Sequence, residues 1–352
     1  MRASLVKFLP AAGSGQVFVC SSLQANMKVF LPVKVDKFVL AIIAAVTLAW
    51  IFPYGAQDPA GIILDHVSTA GIFLIFFVYG LRLSTEKFMT GMKNWKLHIL
   101  VQFTTFLLFP LLALAFHPLI QTGEHEILWL GLFFMAAVPS TVASSVIMVS
   151  VGRGNIPAAI FNASLSGIIG IIITPLLMGL FMQQTGAGFD FTAIYLRLFL
   201  GIILPVILGL IMRKRWYSLV VKYSRESGMF DKSVILLIVY KSFAKSFHDQ
   251  VFSTLHIIDL VLLAVIVIGL FFVLYGLVYG ISDILKFSRE DKITALFCGS
   301  QKSLVHGTVF SSVLFAGYHA AGLILLPLML FHSWQIFIIS IIAGRYGEKY
   351  SE

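Results

Sequence analysis

Ten apolar runs, separated by short polar segments, account for most of this sequence. A helix needs about 20 apolar residues to cross the hydrocarbon core of a bilayer, and each run comes near that length. The runs lie near residues 36–53, 64–83, 97–116, 126–151, 154–181, 191–212, 231–247, 255–281, 291–315 and 317–344. The composition, 59% hydrophobic and 12% charged, is far more apolar than that of soluble proteins. We therefore predict an all-α polytopic membrane protein with ten transmembrane helices.

The basic residues are concentrated in every second loop between the predicted spans. Lys and Arg cluster at the N-terminus and in alternate loops, which hold 21 of the 25, whereas the intervening loops hold none. Cytoplasmic loops of membrane proteins are enriched in Lys and Arg. We expect a multi-pass protein with both termini in the cytoplasm. The net charge of +9 thus reports topology and does not indicate nucleic-acid binding, which needs a basic soluble face. The other four basic residues, Arg197, Lys241, Lys245 and Lys302, fall inside spans.

The domain organisation follows from the span count. Residues 1–26 are expected to form an N-terminal extension before a second candidate start at Met27, and residues 346–352 a cytoplasmic tail. The ten-helix domain would occupy 27–345, with a first repeat at about 36–181 and a second at about 191–344. Five spans per half place the second half upside down relative to the first, which predicts an inverted five-plus-five repeat.

Two spans at equivalent positions of these halves are interrupted by polar residues. Span four contains Pro139 followed by hydroxyl residues that include Ser144 and Ser145, and span nine contains the stretch Gly299–Gly307. Irregular backbone at membrane depth survives only where it is buried in protein or lines a cavity. Paired interruptions of this kind point to a transporter site near the midplane.

Several motifs resemble the bile acid:sodium symporter superfamily, in particular its divergent branch of sodium/bile acid cotransporter 7 and bacterial homologues. They are FFVYGLRLS (76–84), VPSTVASS (138–145), GRGNIPAAIFNASLSGIIGIIITPLL (152–177), DKITALFCGSQKSL (291–304) and LPLMLFH (326–332). The resemblance runs from about Met27 to Arg345, and because it is to the bacterial branch in particular, it implies an integral protein of the bacterial inner (plasma) membrane. It implies ten helices in panel and core domains, two broken helices that cross beside sodium sites, and substrate between the domains.

The sodium ligands that this resemblance implies are only partly present. The family's Ser-Asn pair falls on Ser144 and Ser145, and the glutamine of its Gln-Asn pair is kept as Gln301. Its acidic residue falls on Phe297, and two hydroxyl positions fall on Ala159 and Ala163. Thr105 replaces a glutamine, with Gln102 one turn earlier, and Asn162 and Ser164 lie beside the lost hydroxyls. Hard cations are held by several oxygens, so sodium coupling through Ser144, Ser145 and Gln301 is expected to be weak.

Lys302 stands where the family's pair has Asn. A charged side chain at bilayer depth costs at least about 2.5 kcal/mol unless it is paired or solvated. We hypothesise that Lys302 takes the place of a sodium ion, as a fixed or a titrating positive charge. Its polar neighbours Ser300, Ser303 and His306 are further binding candidates. His306 is either a proton relay or a packing histidine.

These observations favour a secondary active transporter of a small, anionic organic solute, coupled to sodium or, with Lys302 in place of sodium, to protons or to no ion. A non-transporting sensor on the same fold is the alternative from another class. An enzyme is not expected, since no phosphate-binding glycine loop, metal-ligand cluster or nucleophile motif is found in the sequence. Apart from the candidate coupling ion no cofactor is expected, and the expected partners are the organic anion and membrane lipid, with no obligate protein partner.

Overall fold

The computed structural model describes residues 37–57, 60–82, 94–117, 123–182, 191–316 and 318–348. All regular structure within these ranges is helical. The predicted N-terminal extension lies outside the described residues, as do most of the tail and several predicted loops.

Fourteen α-helices follow one another along the described chain. They are α1 (Lys37–Ile51), α2 (Ala60–Arg82), α3 (Trp95–Phe103), α4 (Phe109–Leu114), α5 (Gly123–Ala137), α6 (Ala143–Val151), α7 (Ile156–Met182), α8 (Phe191–Leu198), α9 (Leu204–Lys222), α10 (Ser224–His248), α11 (Ile257–Ile284), α12 (Arg289–Gly299), α13 (Leu304–Leu314) and α14 (Ala321–Glu348). Wider π-helical turns, Thr104–Leu108 and Phe199–Ile203, join α3 to α4 and α8 to α9, and short 3₁₀ helices lie at Pro53–Ala56 and Val251–Thr254.

Six continuous helical stretches of the described chain are long and apolar enough to cross a membrane. They are Ala60–Arg82, Trp95–Leu114, Ile156–Phe181, Thr192–Lys222, Ile257–Ile284 and Ala321–Glu348, and two shorter apolar helices lie at Lys37–Ile51 and Glu126–Ala137. A large share of their apolar side chains faces outward, as expected of helices that contact lipid. The chain is thus an integral, multi-pass membrane protein.

The first group of helices consists of α1, α2, α8, α9 and α10. Helices α2 and α9 pack at two glycines, because a side chain at Gly80 would collide with the carbonyl of Val206, and one at Gly209 with the carbonyl of Phe77. Small residues let membrane helices approach to backbone contact. This group therefore owes its closest packing to glycine.

The second group holds the remaining helices, and α14 packs along α5, α11 and α13 within it. Both predicted interruptions are present. Helix α5 ends at Ala137 and α6 begins at Ala143, and helix α12 ends at Gly299 and α13 begins at Leu304. Helix α10 packs against α13 and α14 and so joins the two groups.

One predicted loop is helical in the structure. The basic stretch between spans six and seven, about 213–230, extends α9 to Lys222 and begins α10 at Ser224, with only Tyr223 between them. Lys and Arg are good helix formers, and hydropathy marks only the part of a helix that lies in hydrocarbon. The apolar runs therefore underestimate the lengths of these two helices.

Candidate functional site

The two interrupted helices cross at their breaks and are hydrogen-bonded to each other there. The N–H of Ser303 donates to the carbonyl of Pro139 at 2.9 Å, and the hydroxyl of Ser140 donates to the carbonyl of Cys298 at 2.6 Å. Pro139 cannot donate a backbone hydrogen bond, which ends the ladder of α5. Each break therefore provides hydrogen-bond partners for backbone groups that have none within the other helix.

Lys302 lies inside this crossing with none of its surface exposed. Its ammonium donates three hydrogen bonds, all to backbone carbonyls: Thr105 at 2.8 Å, Ala136 at 2.5 Å and Val138 at 2.8 Å. An ammonium has three N–H donors, so every one of them is used. The ammonium therefore does not extend to the surface of the protein.

The carbonyl of Thr105 has no hydrogen-bond donor from its own helix, because of a π-helical turn and a proline. The N–H of Phe109, which would reach Thr105 in an α-helix, donates to Thr104 instead. The next residue, Pro110, has no N–H. Thr105 thus loses both donors that an intact helix could supply, and the ammonium of Lys302 replaces them.

The carbonyl of Ala136 has also lost the hydrogen-bond donor that a continuous helix would supply. Its α-helical donor would be the N–H of Ser140, but that N–H donates to the hydroxyl of Ser166 at 3.0 Å. The carbonyls at a helix C-terminus carry the negative end of the helix dipole, which favours a cation there. Two segments distant in the chain, the π-helical turn of span three and the end of α5, therefore converge to form a cage of oxygens around one positive charge.

Further contacts hold Lys302 in place. Its ammonium lies 4.8 Å from the centre of the Phe109 ring, a distance typical of a cation–π interaction. The amide of Gln335, on α14, accepts from the N–H of Lys302 at 2.8 Å and donates to its carbonyl at 2.7 Å. Gln335 is fully buried. Its two hydrogen bonds fix the backbone of the span-nine break at Lys302.

A polar pair lies beside the lysine. The hydroxyl of Ser144 donates to the side-chain oxygen of Gln301 at 2.8 Å and also contacts the hydroxyl of Thr141 at 3.1 Å. The side-chain nitrogen of Gln301 is buried without a hydrogen-bond partner among the described residues. The hydroxyl of Ser145 is 3.5 Å from the carbonyl of Phe297. These are the three residues for which a weak sodium site was predicted, and Ser144 and Gln301 are in direct contact.

The other predicted site residues form separate pairs around the crossing. The side-chain nitrogen of Gln102 lies 3.3 Å from the side-chain oxygen of Asn162. The hydroxyl of Ser303 lies 2.9 Å from Nδ1 of His306 and caps the start of α13. The ring of His306 packs against the ring of Tyr79, on α2.

Three predicted residues contribute differently from what their side chains suggested. Thr105 contributes its carbonyl, while its hydroxyl bonds within its own helix to Val101. The hydroxyl of Ser300 bonds to Leu296 in the same way. Ser164 provides a carbonyl, which accepts from the hydroxyl of Tyr79 at 3.2 Å.

Sequence reasoning missed Gln335 and the oxygens of Ala136 and Val138. Gln335 had a usable signal, because it is an amide in the middle of the last apolar run, close to His332. The carbonyls had no side-chain signal. Main-chain oxygens become ligands only through the local geometry of the backbone.

A separate cavity of about 880 Å³ opens between the two groups of helices. It is bounded by α2, the π-helical turn after α8, α10 and the end of α13, and it lies at the end of the bundle where α2 begins and α10 ends. From Gly61 to Phe73 it follows α2 for about 18 Å, at 1.5 Å per residue. Its walls carry both charged and apolar side chains.

Comparison with known proteins identifies the family. The model of the SBF-like CPA transporter family matches residues 36–348. The chain is a member of the SBF-like CPA transporter family.

Curated relatives match this transporter over most of their length. An uncharacterized protein, PA2026 of Pseudomonas aeruginosa, is 37% identical over 91% of this chain and 94% of its own. Sodium/bile acid cotransporter 7 of Rattus norvegicus is 30% identical over 90% and 94%, and that of Xenopus tropicalis is 32% identical over 78% and 81%. The resemblance drawn from the motifs is thus confirmed, and with it the assignment to membrane transport.

Proposed function

We propose that this transporter is a secondary carrier of small organic anions that works by alternating access, with the ammonium of Lys302 in place of a coupling cation. The observation that carries the proposal is the cage of three carbonyls around Lys302. Carbonyl oxygens at helix breaks are also the groups that hold sodium in broken-helix transporters. A lysine there supplies the positive charge as part of the chain.

The alternating-access part of the proposal rests on the arrangement of the helices. Two groups of helices, joined mainly through α10, enclose a cavity at one end of the bundle. Near the other end of α2, Tyr79 contacts both Ser164 and His306 of the second group. By the distribution of basic residues, the cavity faces the outside. In the proposed cycle, the Tyr79 contacts open when the cavity closes.

The predicted ten-span architecture and inverted repeat belong to the same proposal. The interruptions after Ala137 and after Gly299, at equivalent places of the two predicted repeats, support it. Both termini would then be cytoplasmic. Cysteine accessibility at Asn94 and Gln250, on opposite faces in the proposed topology, tests this orientation in intact cells.

Sodium titration tests the role of Lys302. A ligand that binds only the folded state raises stability according to its concentration relative to Kd. At constant ionic strength, with choline as the balancing cation, we expect the wild-type melting temperature to be independent of sodium. In Lys302→Ala the carbonyl cage is open to a cation, and we expect sodium to stabilise that variant. Sodium stabilisation of the wild type that is unchanged in Lys302→Ala would instead indicate a working sodium site, with Ser144 and Gln301 as its first candidates.

Transport itself is tested in proteoliposomes. Because curated relatives are named sodium/bile acid cotransporters, cholate is a reasonable first solute. We expect protein-dependent uptake of cholate into the vesicle lumen without a requirement for a sodium gradient. Binding without uptake of cholate or of other organic anions would favour the sensor.

A further inference from the structure

The outward cavity has an uneven distribution of charge. Its walls carry three basic side chains, Arg197, Lys241 and Lys245, and two acidic ones, Asp65 and Asp249. Lys241 forms an ion pair with Asp65 across the cavity, from α10 to α2. Side chains of Ile72 and Phe73 line the deeper part. The cavity therefore combines a net positive rim with an apolar interior.

Two polar groups in the wall have lost their usual partners. The hydroxyl of Ser68 is buried and has no hydrogen-bond partner among the described residues, although it lines the cavity. A buried hydroxyl without a partner costs free energy, so its position is explained if a ligand bonds to it.

The second polar group is the carbonyl of Leu200, a residue that lines the cavity. The N–H of Leu204 donates to Phe199 across the π-helical turn, and Pro205 has no N–H. Leu200 lies five residues before Pro205, just as Thr105 lies five residues before Pro110. Its carbonyl therefore loses both helical donors in the same way. At Thr105 the carbonyl binds the ammonium of Lys302, whereas the carbonyl of Leu200, a residue of the cavity wall, has lost the same two donors and is an acceptor for a ligand.

We propose that this cavity is a solute site for organic monoanions, in which the acidic group of the solute binds Lys241 and Arg197 and displaces Asp65. This inference rests on the proposed carrier function and assigns its outward binding residues. Three positive charges and two negative ones give the cavity a net charge of +1, which a monoanion would neutralise. Ser68 and the Leu200 carbonyl would bind a hydroxyl of the solute, and Ile72 and Phe73 its apolar body.

Asp65 acts as an internal competitor in this proposal. Its carboxylate forms an ion pair with Lys241, so a solute must compete for this basic side chain. A solute must break the Lys241–Asp65 pair, and this cost lowers the affinity of every solute. Anions that are too small to gain apolar contacts cannot offset the cost and are kept out. Removal of the Asp65 charge should therefore tighten binding and shift the preference toward dianions.

Three naphthalene probes of matched shape test the charge rule on purified protein. They are neutral 2-naphthalenemethanol, the monoanion naphthalene-2-sulfonate and the dianion naphthalene-2,6-disulfonate, with binding followed by their fluorescence. The wild type should prefer the monosulfonate. Lys241→Gln and Arg197→Gln should each weaken its binding about three- to tenfold, and Asp65→Asn should tighten the disulfonate by a similar factor. Lys241→Arg should retain binding and shows that loss in Lys241→Gln is not due to misfolding.

The ion pair Lys292–Asp283 provides a matched control. Its carboxylate is as exposed as that of Asp65, 58% in each case, but it lies away from the cavity lining. Lys292→Gln and Asp283→Asn should leave the affinity for all three probes unchanged. Equal binding of the neutral and anionic probes, or binding insensitive to Lys241, Arg197 and Asp65, would overturn the proposal.

The outcomes also separate this inference from the carrier function. If cholate is taken up into proteoliposomes with the same KM in Lys241→Gln and Arg197→Gln, the chain is a carrier but the cavity residues are not its solute site. If the sulfonate binds in the predicted charge-dependent way and neither it nor cholate is taken up, the site is real and the carrier function is wrong.

Discussion

The ammonium of Lys302 lies 2.8 Å from the backbone carbonyl of Thr105, a residue 197 positions away in the chain. This hydrogen bond joins span nine to the π-helical turn of span three, and the same ammonium reaches the end of α5 through Ala136 and Val138. One side chain thus links three segments of the second group of helices.

Replacement of Lys302 by Met should strongly destabilise the protein. The substitution keeps an unbranched side chain but leaves three buried carbonyls without a donor, at roughly 1–3 kcal/mol each. We expect a loss of about 3 kcal/mol or more, measured by thermal or denaturant unfolding in detergent. Lys222→Met, at the exposed end of α9, is the control and should change stability by less than about 0.5 kcal/mol. A neutral effect at Lys302 would show that the carbonyl cage does not need a donor.

Gln335→Leu should destabilise the break of span nine. It removes the two hydrogen bonds that hold the backbone of Lys302, leaving a buried N–H and a buried carbonyl open. The expected cost is about 2–4 kcal/mol. Ser340→Ala, one helical turn and a residue further on, removes only an exposed hydroxyl bond within α14 and should be nearly neutral. Similar stabilities for the two variants would argue against this role of Gln335.

Ser144 and Gln301 should show a measurable coupling energy. Their 2.8 Å hydrogen bond connects α6 to the span-nine break. In a double-mutant cycle with Ser144→Ala and Gln301→Leu we expect an interaction of about 1 kcal/mol. The pair Ser333→Ala and Gln301→Leu, whose members do not bond to each other, should be additive. Additivity of the first pair would remove the evidence for a shared polar site there.

Gly80→Leu should disrupt the packing of α2 on α9. Any side chain at this position meets the carbonyl of Val206, which is backbone and cannot rotate away. We expect a destabilisation of about 3 kcal/mol, near the upper end of overpacking effects. Gly276→Leu on α11, where a side chain would meet nothing within 4 Å, is the matched control and should be tolerated. Measurements of folded yield and melting temperature distinguish the two.

Local rules were enough to predict the interruptions of spans four and nine. Pro139 cannot continue a helical ladder, and the polar residues around Gly299 are incompatible with contact to lipid. The same reasoning identified Lys302, Gln301 and Ser144 as site candidates, because polar side chains at membrane depth need partners. Gln335 lies outside the two interrupted spans, in the last apolar run.

The partners of these residues were not predictable in the same way. Lys302 bonds to main-chain oxygens of Thr105, Ala136 and Val138, and any sequence position carries such an oxygen. Which carbonyl is open depends on a π-helical turn and on the diversion of the Ser140 N–H to Ser166. These are consequences of packing between segments far apart in the chain.

The sequence by itself determined the class of the protein, the positions of its apolar helices and breaks, and its family, since hydrophobicity, proline and motif order act locally. Only the tertiary structure decided that the positive charge of Lys302 is surrounded by carbonyl oxygens, that α9 and α10 meet at a single residue, and that Asp65 and Lys241 meet across a cavity. A hydrogen bond or an ion pair depends on distances of a few ångströms between residues distant in the chain, and those distances are set by how the helices pack.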